Sequence, residues 1–187
     1  VTGGGVARFD GSAWQVFDSE TVAGLSDSAR VLAGASDTLW VGTGGRGLAA
    51  YRGGKWATLG DCGDPLRCIQ DDYVTALAVA GDGSVWVGTA RFNGRGTGLA
   101  VLDDQGTPAE TADDAWHVYG ALDGLPAEGV RAILPDAVDA SVWLGVSQLA
   151  PDGRTLGRGL VHLLSDRRTL VPLRSVESRA APRISSM

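Results

Sequence analysis

Apolar and polar positions alternate along this chain in short runs, and no window sustains the 3.6-residue period of an amphipathic helix. The runs are four to six residues long and rich in β-branched, aromatic or small apolar residues, with Gly, Asp, Pro and Ser between them. That pattern predicts strands joined by tight turns. Four kinds of run recur in a constant order. An apolar lead-in appears as Arg30-Val-Leu-Ala33, Val74-Thr-Ala-Leu-Ala-Val79 and Val130-Arg-Ala-Ile-Leu134. A Trp-x-Gly run follows as Leu39-Trp-Val-Gly-Thr43, Val85-Trp-Val-Gly-Thr89 and Val142-Trp-Leu-Gly-Val146. Next come Gly5-Val-Ala-Arg-Phe9, Gly47-Leu-Ala-Ala-Tyr51, Gly98-Leu-Ala-Val-Leu102 and Gly159-Leu-Val-His-Leu163. A second Trp run closes the unit: Ala13-Trp-Gln-Val-Phe17, Lys55-Trp-Ala-Thr-Leu59 and Ala115-Trp-His-Val-Tyr119.

Successive Trp-x-Gly runs lie 46 and 57 residues apart, the longer interval reflecting loops such as Asp103 to Asp114. Four strands in a period of this size make one blade of a β-propeller. The predicted fold is all-β: a partial propeller domain over 1–187 of four-stranded antiparallel blades. It contains an outer half-blade at 5–18, blades at 29–59, 74–119 and 130–173, and a tail at 174–187. Leu170-Val-Pro-Leu173 makes a poor outer strand, because Pro cannot donate to a ladder. The recurring Trp residues are read as a packing layer between blades rather than a ligand cage. About three and a half blades leave a face and strand edges uncovered. The missing blades are expected from the remainder of a longer propeller chain or from a completing protein chain. The first is adopted, because two copies would each bring an outer pair and neither an inner one.

The segment Asp82-Gly-Ser-Val-Trp-Val-Gly-Thr89, the Gly-Leu strand after it, and Asp123-Gly-Leu-Pro126 before Val130 resemble the two-component regulator propeller repeat. The likeness extends to about Leu173, with departures at Asp37-Thr38, which lacks the Gly, and at Val146. It implies a parent propeller that is often seven-bladed, with the lead-in strand innermost and the second-Trp strand outermost. It also implies an extracytoplasmic sensing module (periplasmic or extracellular) that binds oligosaccharides or mediates dimerisation. The family has no shared catalytic residues to carry over, and no kinase segment is present.

Composition narrows the classes. The chain has 187 residues, 44% of them apolar, and a formal net charge of −6, which argues against a general nucleic-acid binder. Its 28 Gly fit a turn-rich all-β chain. No apolar run reaches the ~20 residues of a membrane span. The chain opens on Val1 with no leader-like segment, and is read as processed or excised from something longer.

Function on a propeller is expected in loops. The loops after Trp-x-Gly lengthen from Gly42–Gly47 to Gly88–Gly98 to Gly145–Gly159 and contain Arg46, Arg91, Arg95, Arg154 and Arg158. The loops leading into the inner strands contain Asp27, Asp71, Asp72, Asp123 and Glu128. Both sets are expected on one face. Arg forks suit carboxylates, phosphates and sugar hydroxyls, so the candidate binding residues are Arg46, Arg91, Arg95, Arg154, Arg158, Asp72 and Asp123. Phe92 is a candidate apolar anchor. The bland alternative is a solvated loop surface with weak ion pairs.

Cys62 and Cys68 share one loop. A disulfide between them would close a ring worth ~2 kcal/mol and would point to an oxidising compartment. Free thiols and metal ligation are the alternatives, and zinc would need further ligands that no nearby His supplies. His117 and His162 sit at repeat positions occupied elsewhere by Gln15 and Ala57, and by Arg8, Ala50 and Val101. They are read as strand-surface residues. No phosphate loop, dedicated calcium loop or Ser/His/Asp constellation can be assembled, so no cofactor, metal or catalytic residue is expected. The leading reading is a non-enzymatic binding module for a glycan or protein partner. A structural subunit of a larger, membrane-attached assembly is the alternative, and a propeller lyase or hydrolase the third.

Overall fold

The computed structural model describes residues 4–59, 69, 73–90, 98–107, 113–126, 129–149 and 154–173. These form four antiparallel sheets and a single 3-10 turn at Ala121–Asp123. The first sheet is a hairpin of β1 (Val6–Phe9) and β2 (Trp14–Phe17). Blade I contains β3 (Ala29–Ala35), β4 (Thr38–Thr43), β5 (Leu48–Arg52) and β6 (Lys55–Thr58). Blade II contains β7 (Val74–Val79), β8 (Val85–Thr89), β9 (Leu99–Asp103) and β10 (Ala115–Tyr119). Blade III contains β11 (Gly129–Pro135), β12 (Val142–Leu149), β13 (Thr155–Leu163) and β14 (Leu170–Leu173). Every strand pairs with its neighbour in sequence, and β7 lies against both β3 and β11, so the lead-in strands are innermost. The fold is the all-β propeller arrangement that the repeat predicts. Pro172 falls on edge strand β14, where a missing donor is tolerated.

Strand alternation explains the two kinds of Trp. Residues two apart on a strand share a face. Trp40 packs with Val74, Val85 and Val87 of blade II, and Trp86 packs with Val130, Val142 and Leu144 of blade III. The Trp-x-Gly indole therefore faces the following blade. Trp56 joins Val6 and Phe17 of the hairpin, and Trp116 joins the cluster between blades I and II. The second Trp therefore faces the preceding blade. Trp40 and Trp86 are 2% and 0% exposed, as a packing layer requires.

The other two Trp lie on sheet faces that no described residue covers. Trp14 is 70% exposed and its ring lies 5.0 Å from that of Phe9. Trp143 is stacked at 4.0 Å on His162. Register places Leu134, Leu160, Val171 and Leu173 on the same side of blade III as Trp143, and all four are exposed.

Two glycines of the repeat are required for different reasons. A Cβ on Gly88 would lie 2.8 Å from the Val130 carbonyl oxygen, so this position is where the next inner strand approaches the sheet. A Cβ on Gly42 would collide with Val74 of the next blade in the same way. The Gly that opens the third run (Gly-Leu, or Gly5-Val6 in the first copy) has positive φ in every copy: 111° at Gly5, 62° at Gly47, 101° at Gly98 and 100° at Gly159. That is a backbone requirement, independent of neighbours.

The blade III segment expected as a long loop is a hairpin instead. β12 runs on to Leu149 and β13 starts at Thr155, with a bulge between Val146 and Ser147. Continued ladder pairing across the bulge satisfies backbone groups that a loop would leave to water.

Candidate binding face

Two isolated bridges join the loop sets. Gly44, after β4, bridges Tyr73, just before β7, and Gly98 bridges Gly129. The loops leaving each Trp-x-Gly strand thus adjoin those entering the next inner strand, at one end of the sheets.

That end carries side chains that the sequence reading did not single out. Each inner strand has a bulge near its start, between Ala29 and Val31, Val74 and Ala76, and Val130 and Ala132. A bulge re-aims a side chain out of the ladder. The residues concerned are Arg30, Thr75 and Arg131. The Arg30 guanidinium lies 4.4 Å from the centroid of the Tyr73 ring, a cation–π contact across the seam between blades I and II. The Thr75 hydroxyl donates to the Val130 carbonyl at 2.5 Å, tying blade II to blade III. Arg131 donates through Nε to Ser147 Oγ at 3.1 Å. Arg30 and Arg131 are exposed. One polar residue at the same place in three apolar runs was the available signal, but only the pairing shows the bulge.

Of the candidates read from the sequence, Arg46 is exposed in the turn after β4, its N–H donating to Thr43 Oγ1 at 3.0 Å. Arg154 is exposed at the foot of β13. Arg158 lies on β13 itself and donates to Gln148 Oε1. Asp123 is exposed in the 3-10 turn and accepts the Gly120 N–H at 2.8 Å. Arg46, Arg158 and Asp123 thus bond within their own turn or hairpin rather than to one another. Asp72, Arg91, Phe92 and Arg95 lie outside the described residues, as do Cys62 and Cys68. Among the described residues no three His, Cys, Asp or Glu side chains converge as metal ligands, and no helix is long and apolar enough to cross a membrane.

The seam between blades II and III is held by a second polar cluster. Arg167, in the β13–β14 turn, is paired with Asp82 of the β7–β8 turn, reaches Ser84 Oγ at 3.3 Å and lies 5.6 Å from the Trp86 ring centroid. Burial opposes ionisation of Asp82, but the Ser84 hydroxyl and N–H and the Arg167 guanidinium outweigh it and lower its pKa. The Tyr119 hydroxyl donates to the Arg167 carbonyl at 2.9 Å. Burial, the largest influence, raises the Tyr119 pKa. At the seam between blades I and II, Arg52 bonds Asp37 at 2.9 Å and the Gly106 carbonyl at 2.5 Å.

Tandem four-stranded blades with Trp-lined seams and a polar loop end define a repeat propeller. The family model described as two component regulator propeller matches residues 68–91, which carry β7, the Asp82-Gly83 turn and Trp86-Val87-Gly88. Among solved structures, the chain is similar to one described as the extracellular domain of a hybrid two component system, BT3049, from B. thetaiotaomicron. Identity is 18% and the TM-score 0.63, over 91% of this chain and 22% of that one. A second, the extracellular domain of a one component system, BT4673, from the same organism, gives 18% identity and a TM-score of 0.46, over 81% and 23% of the two chains. The chain therefore spans under a quarter of the length of these solved chains. No curated protein matches it.

Proposed function

We propose that this chain is a non-enzymatic binding module of an extracytoplasmic sensor-type propeller, whose loop end recognises a glycan or the polar surface of a protein. The observation that carries the reading is the bulge position. Arg30, poised over Tyr73, and Arg131, oriented by Ser147, are aimed out of otherwise apolar inner strands at the end where the two loop sets adjoin. The family match and the extracellular neighbours support the compartment. We assign it no turnover; His117 rests against Tyr119, and His162 stacks on Trp143 with Nε2 2.8 Å from Ser141 Oγ. Calorimetric titration against a panel of oligosaccharides tests the glycan reading. Saturable binding by a subset is expected, with loss in Arg30→Ala and Arg131→Ala at unchanged melting temperature. A panel without binders, or binding indifferent to both substitutions, refutes it.

The two uncovered faces favour a second role alongside the first. Trp14 with Phe9, and Trp143 with Leu134 and Leu160, repeat the side-chain layout of the buried seams. We infer that further blades cover them, from the remainder of a longer propeller or from a completing chain. Exposure of these residues to hydroxyl-radical footprinting in the parent protein would count against that inference.

A further inference from the structure

A cleft of about 440 Å³ opens on the flank of the molecule, where the end of blade II meets the β13–β14 turn of blade III. His117, Tyr119 and Asp123 line it from blade II, and Asp166, Arg167 and Arg168 from blade III. Its size falls in the range of small-molecule sites, ~300–1,000 Å³.

Most of these groups are already committed. Arg167 is taken up by Asp82, Ser84 and Trp86, and its carbonyl by Tyr119. The Asp166 carboxylate accepts the N–H of Arg168 at 2.8 Å, the N–H of Thr169 at 2.9 Å and the Thr169 hydroxyl at 2.6 Å. Those bonds brace the turn, which holds Arg167 at φ 54°. The corresponding turns of blades I and II do the same at Gly53 and Gly54 and at Gln105. The wall is therefore fixed before any ligand arrives, which lowers the cost of binding.

Three groups are left. The Arg168 guanidinium is exposed, and among the described residues it makes no hydrogen bond. One Asp123 oxygen holds the Gly120 N–H, and the other is free among the described residues. The His117 ring rests edge-on against Tyr119 at 4.4 Å. A cation whose charge is shared only through space with Asp166 and a free carboxylate oxygen thus come from different blades, above an apolar floor of Val101 and the Tyr119 ring. The preceding seam lacks this set, since Ala57 and Leu59 stand where His117 and Tyr119 do, and Asp104-Gln105-Gly106 replaces the basic turn.

We propose that this seam cleft binds a small zwitterion of the α-amino acid class. Arg168 forks the carboxylate, the free oxygen of Asp123 takes the ammonium, and the side chain lies on Val101 and Tyr119. An Arg fork matches a carboxylate in two parallel bonds, and such charge-assisted bonds are the strong ones. The site is separate from the loop end, so it stands or falls independently of the glycan reading.

The test is calorimetric titration of the 187-residue chain with L-leucine, with acetate and methylammonium as half-probes and glucose as a neutral control. Saturable L-leucine binding is expected, with each half-probe weaker. Arg168→Gln should weaken L-leucine and acetate by ~10-fold or more while sparing methylammonium, on the strength of one charged hydrogen bond. Asp123→Asn should do the reverse, and still leaves an acceptor for Gly120. Both positions are exposed, so an unchanged melting temperature confirms that the variants fold. Arg30→Ala should leave L-leucine binding intact. Absence of saturable L-leucine binding overturns the proposal, as does glucose binding equally well, or binding indifferent to both charge substitutions.

Discussion

Replacing Gly88 by Ala adds one methyl group where the structure leaves no room for it. The new Cβ would meet the Val130 carbonyl oxygen at 2.8 Å, Ala76 Cβ at 3.0 Å and Val130 Cβ at 3.1 Å. None of these is the end of a flexible side chain, so β11 must move away from β8 and loosen the seam around Trp86. Overpacking of this kind costs about 1–3 kcal/mol. Gly88 does not have a positive φ, so Ala also gains ~0.4–1 kcal/mol by restricting the unfolded chain. The steric cost wins, and a net loss of about 1–2 kcal/mol is expected. Gly145 is the same repeat position in blade III, but its nearest neighbours are Ala132 Cβ at 3.2 Å and Ala132 N at 3.7 Å, with no facing blade among the described residues. Gly145→Ala should fall within about 0.5 kcal/mol of the parent. Gly81→Ala, with nothing within 4 Å, is the control. Urea unfolding of the three variants side by side reads the difference, which corresponds to ~2–8 °C in melting temperature. Equal effects at Gly88 and Gly145 would show that the repeat glycine answers to its own sheet rather than to the next blade. In a longer chain that supplies that blade, Gly145→Ala should become as costly as Gly88→Ala.

Two further outcomes follow from the same structure. The Asp114 pKa is raised from 3.8 to about 6, by burial first and then by Asp104 and Asp113, and its Oδ1 is buried with no partner among the described residues. The folded chain therefore holds this proton more tightly than the unfolded one, so stability falls as pH rises from about 4 to 6. Asp114→Asn should stabilise the fold by ~1 kcal/mol at pH 7, after allowance for screening of a partly solvated group. That gain should vanish near pH 4, and a gain independent of pH in thermal melts would refute the assignment. Trp86→Ala should cost about 3–5 kcal/mol and Trp14→Ala much less, because only the first indole is enclosed. Similar losses in denaturant titrations would mean that the Trp14 face is covered.

Much of the architecture was legible along the chain. Strand order and blade period depend on local periodicity, which short windows contain. The candidate site was less legible. Arg46 and Asp123 were found because they are charged residues in loops. Arg30 and Arg131 were missed because they sit inside apolar runs, and only the bulge turns them outward. Arg158 reads as a loop residue because it lies between the Trp-x-Gly and Gly-Leu runs, yet it sits at a bulge inside the β12–β13 hairpin, between Gly157 and Gly159, which pair with Ser147 and Val146. Tyr119, Arg167 and Asp82 form one cluster from residues up to 85 apart, a distance at which no motif operates.

The sequence by itself determined that this chain is a run of four-stranded units and where most of their strands lie. Those properties are set by neighbours within a few residues. Only the tertiary structure decided that one Trp of each unit faces the blade ahead and the other the blade behind. It also decided that Gly88 is a point of blade-to-blade approach and that Arg168 and Asp123 share a cleft. Each of these depends on how one sheet is set against the next, through contacts between residues far apart in the chain.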